Sequence, residues 1–303
     1  KILGISLLIA IFLFTALSSP LIAGNYPFPI NKNYNNGIRI TSFNASDMVA
    51  KYNTWKSAYV TATGAPAGCL RVQSPEAIWV GGTAYYNATV SEGIAYGMLI
   101  SVYFDDQATF NDLWDYKVNK AAAAGKASNL MPWVMDSAGA ILDNNSASDA
   151  DFDIAFALLM ADKQWGSGGT YCGLSLAQTE IVRCRQYCLS STDYHVKPGD
   201  GWDDREYPSY YFPAFFREFA LVDTAGAASW NGAVAKCLAN INANRNTTSG
   251  LVGEVCNHDG SRINNNPCGA AGCDGRLYKY NSCRVPFRYA MDWVWNGAAS
   301  NSS

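Results

Sequence analysis

The stretch SASDADFDIAFALLMADKQW, Ser146 to Trp165, sets three aspartates into five positions and then runs into an almost wholly apolar segment. From Ile154 onward apolar residues occur all round a helical projection, and a helix apolar all round has to be covered all round. The segment therefore predicts an interior helix, with Asp149, Asp151 and Asp153 at its mouth. One reading of the acids is local: Ser148-x-x-Asp151 has the form of a capping box, as does Thr89-x-x-Glu92, and acids in a first turn stabilise a helix by about 0.3–1 kcal/mol each. The other reading is chemical, and spacing alone does not separate the two.

Working outward, three more segments share the pattern: Gly93 to Phe104 (GIAYGMLISVYF), Tyr210 to Val222 (YYFPAFFREFALV) and Val285 to Trp295 (VPFRYAMDWVW). Between them lie one-sided patterns, from Ala108, from Leu176 and from Trp230, with apolar residues recurring at three and four; these predict outer helices. Met48 to Tyr59 supplies one more amphipathic helix before the first pair. The polar residues just ahead of the interior segments, Glu92, Asp149, Ser209 and Asn281, stand 57, 60 and 72 residues apart, one helical hairpin plus loops per step. Inner and outer helices alternating in this way stack as a solenoid or close into an α/α toroid. In either, every inner helix begins at the same end, so the residues that open those helices gather round one mouth, where the helix N-termini add partial positive charge.

The bulk numbers narrow the function. The chain of 303 residues is 49% apolar and 16% charged, enough for a large core. Its 22 basic and 25 acidic residues show no basic run, which argues against a nucleic-acid partner. Aromatics make up 13%, beyond what a core alone would call for, and suggest stacking platforms. Residues 1–23 have one positive charge, a long apolar run and small residues around Ala23, the three-part pattern of a secretory signal; the run is also nearly long enough for an uncleaved anchor. Lys1 is not methionine, so an earlier start is expected. Nine cysteines fit an oxidising compartment and predict disulfides with one thiol left over. Cys256, His258, Cys268 and Cys273 are too loosely spaced, in a chain with two histidines, to make a persuasive zinc site. Asn44, Asn87, Asn144 and Asn246 each open a glycosylation sequon.

Read together, YPFPINKNYNNGIRI from Tyr26, WKSAYV from Trp55, TVSEGIAYGML from Thr89, NLMPW from Asn129, ASDADFDIAFALLMADKQWG from Ala147, KPGDGW and YPSYYFPAFFREFA from Lys197 onward, and YNSCRVPFRYAMDW from Tyr280 resemble glycoside hydrolase family 8. The resemblance implies an all-α fold, an (α/α)6 barrel with an open cleft, and inverting hydrolysis of a polysaccharide such as a β-1,4-glucan, chitosan, lichenan or xylan, by an exported enzyme. It implies Glu92 as the general acid, Asp149 as the aspartate contacting the sugar at the cleavage subsite, Trp133 as a stacking aromatic, and Tyr280 and Arg284 as flanks of the base position, with Tyr210 among the substrate contacts. Inversion needs one protonated acid on the leaving oxygen and one carboxylate activating water, roughly 6.5–9.5 Å apart. No metal or organic cofactor is required, and after signal cleavage no membrane.

Two departures stand out. Where the family usually has Tyr-Asp-Ala, this chain has Tyr280-Asn281-Ser282, and an amide takes no proton from water at neutral pH. The base is then expected from the Cys-rich loop before the motif, at Asp274 or, second, Asp259, and Asn281→Asp is expected to leave activity unchanged or raise it. The second departure is the count: four or five hairpins are visible where a closed barrel needs six, so the toroid is expected to be incomplete at its C-terminal side, or the sequence to be a fragment. Asp203, Asp204 and Glu206 read as an exposed acidic loop, with glucosamine recognition as the alternative.

Overall fold

The computed structural model describes residues 25–26, 28, 34–37, 42, 44–166, 170–263 and 275–297. Among them are eight α-helices: α1 (Ala45–Tyr59), α2 (Ser91–Tyr103), α3 (Gln107–Ala124), α4 (Ser148–Trp165), α5 (Leu174–Cys188), α6 (Pro213–Val222), α7 (Ala227–Asn244) and α8 (Arg284–Asn296). Successive helices pack as hairpins, α2 on α3, α4 on α5 and α6 on α7, while α2 packs on α4 and α6 on α8. Aromatic rings close the gap between the second and third inner helices: Phe156 of α4 stacks on Phe215 of α6 with centroids 3.8 Å apart, and Phe152 meets Phe216 edge-on at 4.8 Å. This is the all-α toroid that the family resemblance implies, one of the two arrangements of alternating inner and outer helices that the spacing leaves open, with the core between the layers.

The burial of each helix follows its sequence pattern. In α4 nearly every residue from Ser148 to Trp165 is buried, whereas α5 buries Ala177, Glu180, Ile181, Cys184 and Cys188, one stripe at helical spacing. α3 starts on Asp106, whose carboxylate accepts from the Thr109 amide at 3.1 Å, and stops at Gly125, which takes the left-handed conformation at φ 64°. Gly97 lets α2 approach its neighbours: a Cβ there would stand 2.9 Å from Leu113 and 3.0 Å from Val72.

α2 and α6 leave Tyr96, Tyr103 and Leu221 exposed, and α8 departs furthest from expectation. α8 buries only Val285, Arg288 and Asp292, and Phe287 is 59% exposed, so the segment is not covered all round. Its inward stripe carries charge in place of apolar bulk: Arg288 pairs with Asp153 of α4, and Arg217 of α6 donates to Asp292 at 3.0 Å.

Short strands shape the mouth. β1 (Val60–Thr61) pairs with β2 (Arg71–Val72), and β3 (Ile78–Val80) with β4 (Thr83–Tyr85); β5 (Thr89–Val90), β6 (Val134–Met135) and β7 (Ile141–Asp143) form an antiparallel sheet with β6 in the middle. β5 leads straight into α2 and β7 into the approach to α4, so this sheet sets the first turns of the two helices side by side.

The capping boxes do not form. The N-caps of α2 and α4 are Val90 and Ala147, and neither start has a side-chain cap. Nor is any disulfide formed among the described residues. The thiols serve the core instead: Cys184 donates to the Asp151 carbonyl at 3.5 Å and Cys188 to the Asp151 carboxylate at 3.7 Å, both from one face of α5. Cys268, Cys273 and residues 1–23 lie outside the described residues. Among those described, no helix is long and apolar enough to cross a membrane.

Candidate active site

The three aspartates of α4 part company once the helix is built. Asp149 and Asp153, one turn apart, meet Arg284 and Arg288, also one turn apart, on α8. Arg284 Nη1 donates to Asp149 Oδ2 at 2.5 Å; Arg288 grips Asp153 with both terminal nitrogens at 3.2 and 3.1 Å and lies 3.4 Å over the Phe212 ring. Asp151 points the other way, toward α5, and burial pushes its carboxyl well above the usual carboxylate range. Four of the charges therefore form a ladder between α4 and α8, and the upper rung reaches the mouth.

At that rung Glu92 enters from the first turn of α2. Burial pushes its carboxyl up to about 7, the Asp149 carboxylate adds to the rise, and Arg284 opposes it. Ser91 Oγ lies 3.4 Å from Glu92 Oε2. Asp149 itself is fully buried; its Oδ2 is taken by Arg284, and its Oδ1 has no hydrogen-bond partner. A buried, unpaired acceptor beside a carboxyl that holds its proton near neutrality is suited to a hydroxylated ligand.

Arg284 also donates from Nη2 to Asn281 Oδ1 at 2.6 Å and sits 5.5 Å over the Tyr210 ring, which stacks on Tyr207 at 5.1 Å. Glu92, Asp149, Tyr210, Asn281 and Arg284 are thus brought to one place. Trp133 adjoins it from the strand side: its carbonyl accepts from the Ser91 amide at 2.9 Å, its amide donates to the Asn145 carbonyl at 2.8 Å, and its indole nitrogen is buried without a partner. Tyr280 is 84% exposed, an open aromatic face beside Asn281.

Two glycines of the KPGDGW segment hold the α4 side of the site. A Cβ on Gly199 would lie 2.0 Å from the Ser146 carbonyl oxygen, and one on Gly201 1.9 Å from Asn145 Oδ1. That close approach lets the Ser148 amide donate to the Pro198 carbonyl at 3.0 Å and Asp200 accept from Lys126 at 2.5 Å and from the Ser146 amide at 2.9 Å.

The acidic loop is open at Asp203 and Asp204, as its composition predicts, but not at Glu206. Glu206 is fully buried, accepting from Tyr211 Oη at 2.8 Å and Asn240 Nδ2 at 2.9 Å; Asp204 pairs with Arg205, and Asp203 accepts from His195 at 2.6 Å. Asp259 is spent on an exposed turn, accepting from the Ser261 amide at 2.8 Å. Asp274 lies outside the described residues. A carboxylate that the motif reading missed is Glu254. Its Oε1 accepts from Asn281 Nδ2 at 2.6 Å and the Asn281 amide at 3.3 Å, and its Oε2 from the Ser282 amide and hydroxyl at 3.2 and 3.1 Å. The only hint in the sequence was an acid in an otherwise apolar run, Leu251 to Cys256.

Comparison with known proteins bears on the family and the fold. The model of the family described as glycosyl hydrolases family 8 matches residues 26–303. The chain is 33% identical over 305 residues to endoglucanase 2 of Ruminiclostridium josui, covering 96% of this chain and 62% of that protein. It is 34% identical to endoglucanase C of Ruminiclostridium cellulolyticum, covering 94% and 59%. Among solved structures, the apo β-1,3-1,4-glucanase from Paenibacillus sp. X4 superposes with a TM-score of 0.78 at 28% identity, over 92% of this chain and 75% of that one. The chain thus spans about six tenths of the length of these two endoglucanases.

Proposed function

The chain belongs to glycosyl hydrolases family 8, and from that membership we propose that it hydrolyses internal bonds of a β-1,4-linked or mixed-linkage glucan, with inversion at the anomeric carbon. The observation that carries the reading is the Glu92 carboxyl, held up to about 7 beside the Asp149–Arg284 pair. Such a carboxyl keeps its proton at mildly acid pH and delivers it to the departing glycosidic oxygen as that oxygen gains charge. Asp149, anchored through Oδ2, offers Oδ1 to a sugar hydroxyl at the same subsite. Trp133, Tyr210 and Tyr280 present ring faces to the apolar faces of successive sugars.

The water's proton needs a carboxylate other than position 281, and Asp274 is the proposed base. Glu254 is assigned a holding role: with four donors on its two oxygens it fixes the Asn281–Ser282 corner from behind. Glucan is preferred to chitosan because Asp203, Asp204 and Glu206 are already engaged with protein partners, and because the relatives named above act on glucans. Export belongs to the same proposal and rests on the leader pattern of residues 1–23.

The test is reducing-end release from carboxymethyl cellulose, lichenan, chitosan and xylan, with the anomer of the fresh end followed by NMR. Release from the glucans as the α-anomer, lost in Glu92→Gln, is the expected result. Retention of polymer with no release would replace the hydrolase by a carbohydrate-binding relative. Asp274→Asn is expected to lower turnover at least about a hundredfold with an unchanged melting temperature; a neutral effect removes it as base.

A further inference from the structure

The chain has two histidines, His195 and His258, and the fold brings them together from opposite sides of the α6–α7 hairpin. Their rings stack with centroids 3.9 Å apart and planes 22° from parallel. The Nε2 atoms of both face one oxygen, Asp203 Oδ1, at 2.6 Å from His195 and 4.0 Å from His258. The Nδ1 atoms both face a carboxylate on their other side: Asp193 Oδ1 at 2.6 Å for His195, and Glu206 Oε1 at 3.6 Å for His258. Those outer carboxylates are themselves fixed, Asp193 by Lys236 Nζ at 2.8 Å and Glu206 by Tyr211 and Asn240.

Two imidazoles, each backed at Nδ1 by an anchored carboxylate and each turning Nε2 toward a common oxygen, repeat the arrangement by which proteins orient histidine for a metal. Buried His258 Nδ1 has no hydrogen-bond partner, and its 3.6 Å gap to Glu206 is a bond that a small rotation of the ring completes. We propose that His195 Nε2, His258 Nε2 and Asp203 Oδ1 bind one divalent transition-metal ion of the zinc class, with Asp193 and Glu206 orienting the two rings. The three ligand atoms lie within 4.8 Å of one another. Metal–ligand bonds of about 2.0–2.2 Å require tetrahedral ligand atoms about 3.4 Å apart. His195 and Asp203 therefore separate slightly and the His258 ring turns out of its stack so that both Nε2 lone pairs meet at the ion, movements open to His258 and Asp203 side chains that are 36% and 45% exposed. Two imidazoles and one carboxylate suit zinc, copper or nickel, whereas magnesium and calcium prefer an all-oxygen shell. Lys197 Nζ, 3.8 Å from Asp203 Oδ2, is the cation that the ion displaces from this corner.

The consequence is a staple. His195 and Asp203 belong to the loop between α5 and α6, and His258 to the loop after α7 that carries Glu254 and, through it, the Asn281 corner. The ion ties the two loops without entering the hydrolysis, so its test does not depend on activity.

The experiment is metal stoichiometry by inductively coupled plasma mass spectrometry after gel filtration in zinc, with titration calorimetry and thermal melts, on the full chain and on His258→Asn, Asp203→Asn and Cys268→Ser/Cys273→Ser. Helical circular dichroism confirms that each variant is folded. One equivalent of zinc is expected, with a melting temperature raised by zinc and returned by chelator. Both effects vanish in His258→Asn and Asp203→Asn and persist in the double cysteine variant; Asp193→Asn weakens binding about 10–100-fold. Absence of stoichiometric binding, or binding that survives the His258 and Asp203 changes or is lost with the cysteines, overturns the proposal.

Discussion

Arg284 and Asp149, 135 residues apart in the chain, meet at 2.5 Å where the first turn of α4 faces the start of α8. Burial is the main cause of the raised Glu92 carboxyl, and the pair adjusts it: Asp149 raises it further and Arg284 restrains it. Removing the arginine therefore acts twice. Arg284→Met is expected to cost about 3–5 kcal/mol, by leaving a buried carboxylate unpaired. It should also move the alkaline limb of kcat/KM upward in pH. Denaturant midpoints and a pH–rate profile measure the two effects separately.

The wild-type profile is expected to hold to about pH 7 and then fall close to tenfold per unit as Glu92 loses its proton. Its folded pKa is raised, so its contribution to stability is complete below about 4.5 and is lost as the pH climbs through 7. Glu92→Gln should lower kcat by about 10²–10⁴-fold, match wild-type stability near pH 4, and exceed it at pH 8 by at most about 3 kcal/mol. Urea melts at the two pH values supply the check.

Asn281→Asp looks harmless in sequence, a return to the usual family residue, and in the fold it is not. Asn281 Nδ2 donates to Glu254 Oε1 at 2.6 Å, so an aspartate sets two carboxylates against each other and one of them must take up a proton. Stability should be lost by about 1–3 kcal/mol at pH 7 and recovered toward pH 4, with no gain in turnover. Thermal melts against pH, beside initial rates, decide it.

Gly199→Ala tests the loop that seats α4. Its Cβ would stand 2.0 Å from the Ser146 carbonyl oxygen, two backbone segments that give way only together. A loss of about 1–3 kcal/mol is expected, with a fall in kcat/KM as the start of α4 shifts; Gly250→Ala, with nothing within 4 Å but φ 73°, is a control for backbone strain alone.

The helices are legible because covering an apolar surface is a local demand written at helical spacing; α4 obeys it throughout, while α2 leaves Tyr96 and Tyr103 exposed and α6 leaves Leu221 exposed. α8 was misread because its sequence is apolar all round in composition while its packed face is chosen by Asp153 and Arg217, partners that no local pattern names. Glu92 and Asp149 were legible from the motif and from their place at helix starts. Glu254 was not, since its meaning lies in four donors from residues 281 and 282. Among the described residues no disulfide meets the expectation, for a related reason: cysteine count speaks of compartment, whereas α5 uses its thiols as small core residues against Asp151.

The ladder between α4 and α8 also bears on the order in which the molecule can assemble. A ribosome that has just released Asp149 and Asp153 must add another 135 residues before their guanidinium partners exist, a delay on the order of ten seconds at ordinary elongation rates. Through that interval the nascent α4 carries two acids with nothing to neutralise them, so its collapse into a dry interior is held back until the α8 segment has been made. Truncation ahead of Arg284 should accordingly yield a loose, protease-sensitive chain in place of a smaller stable one.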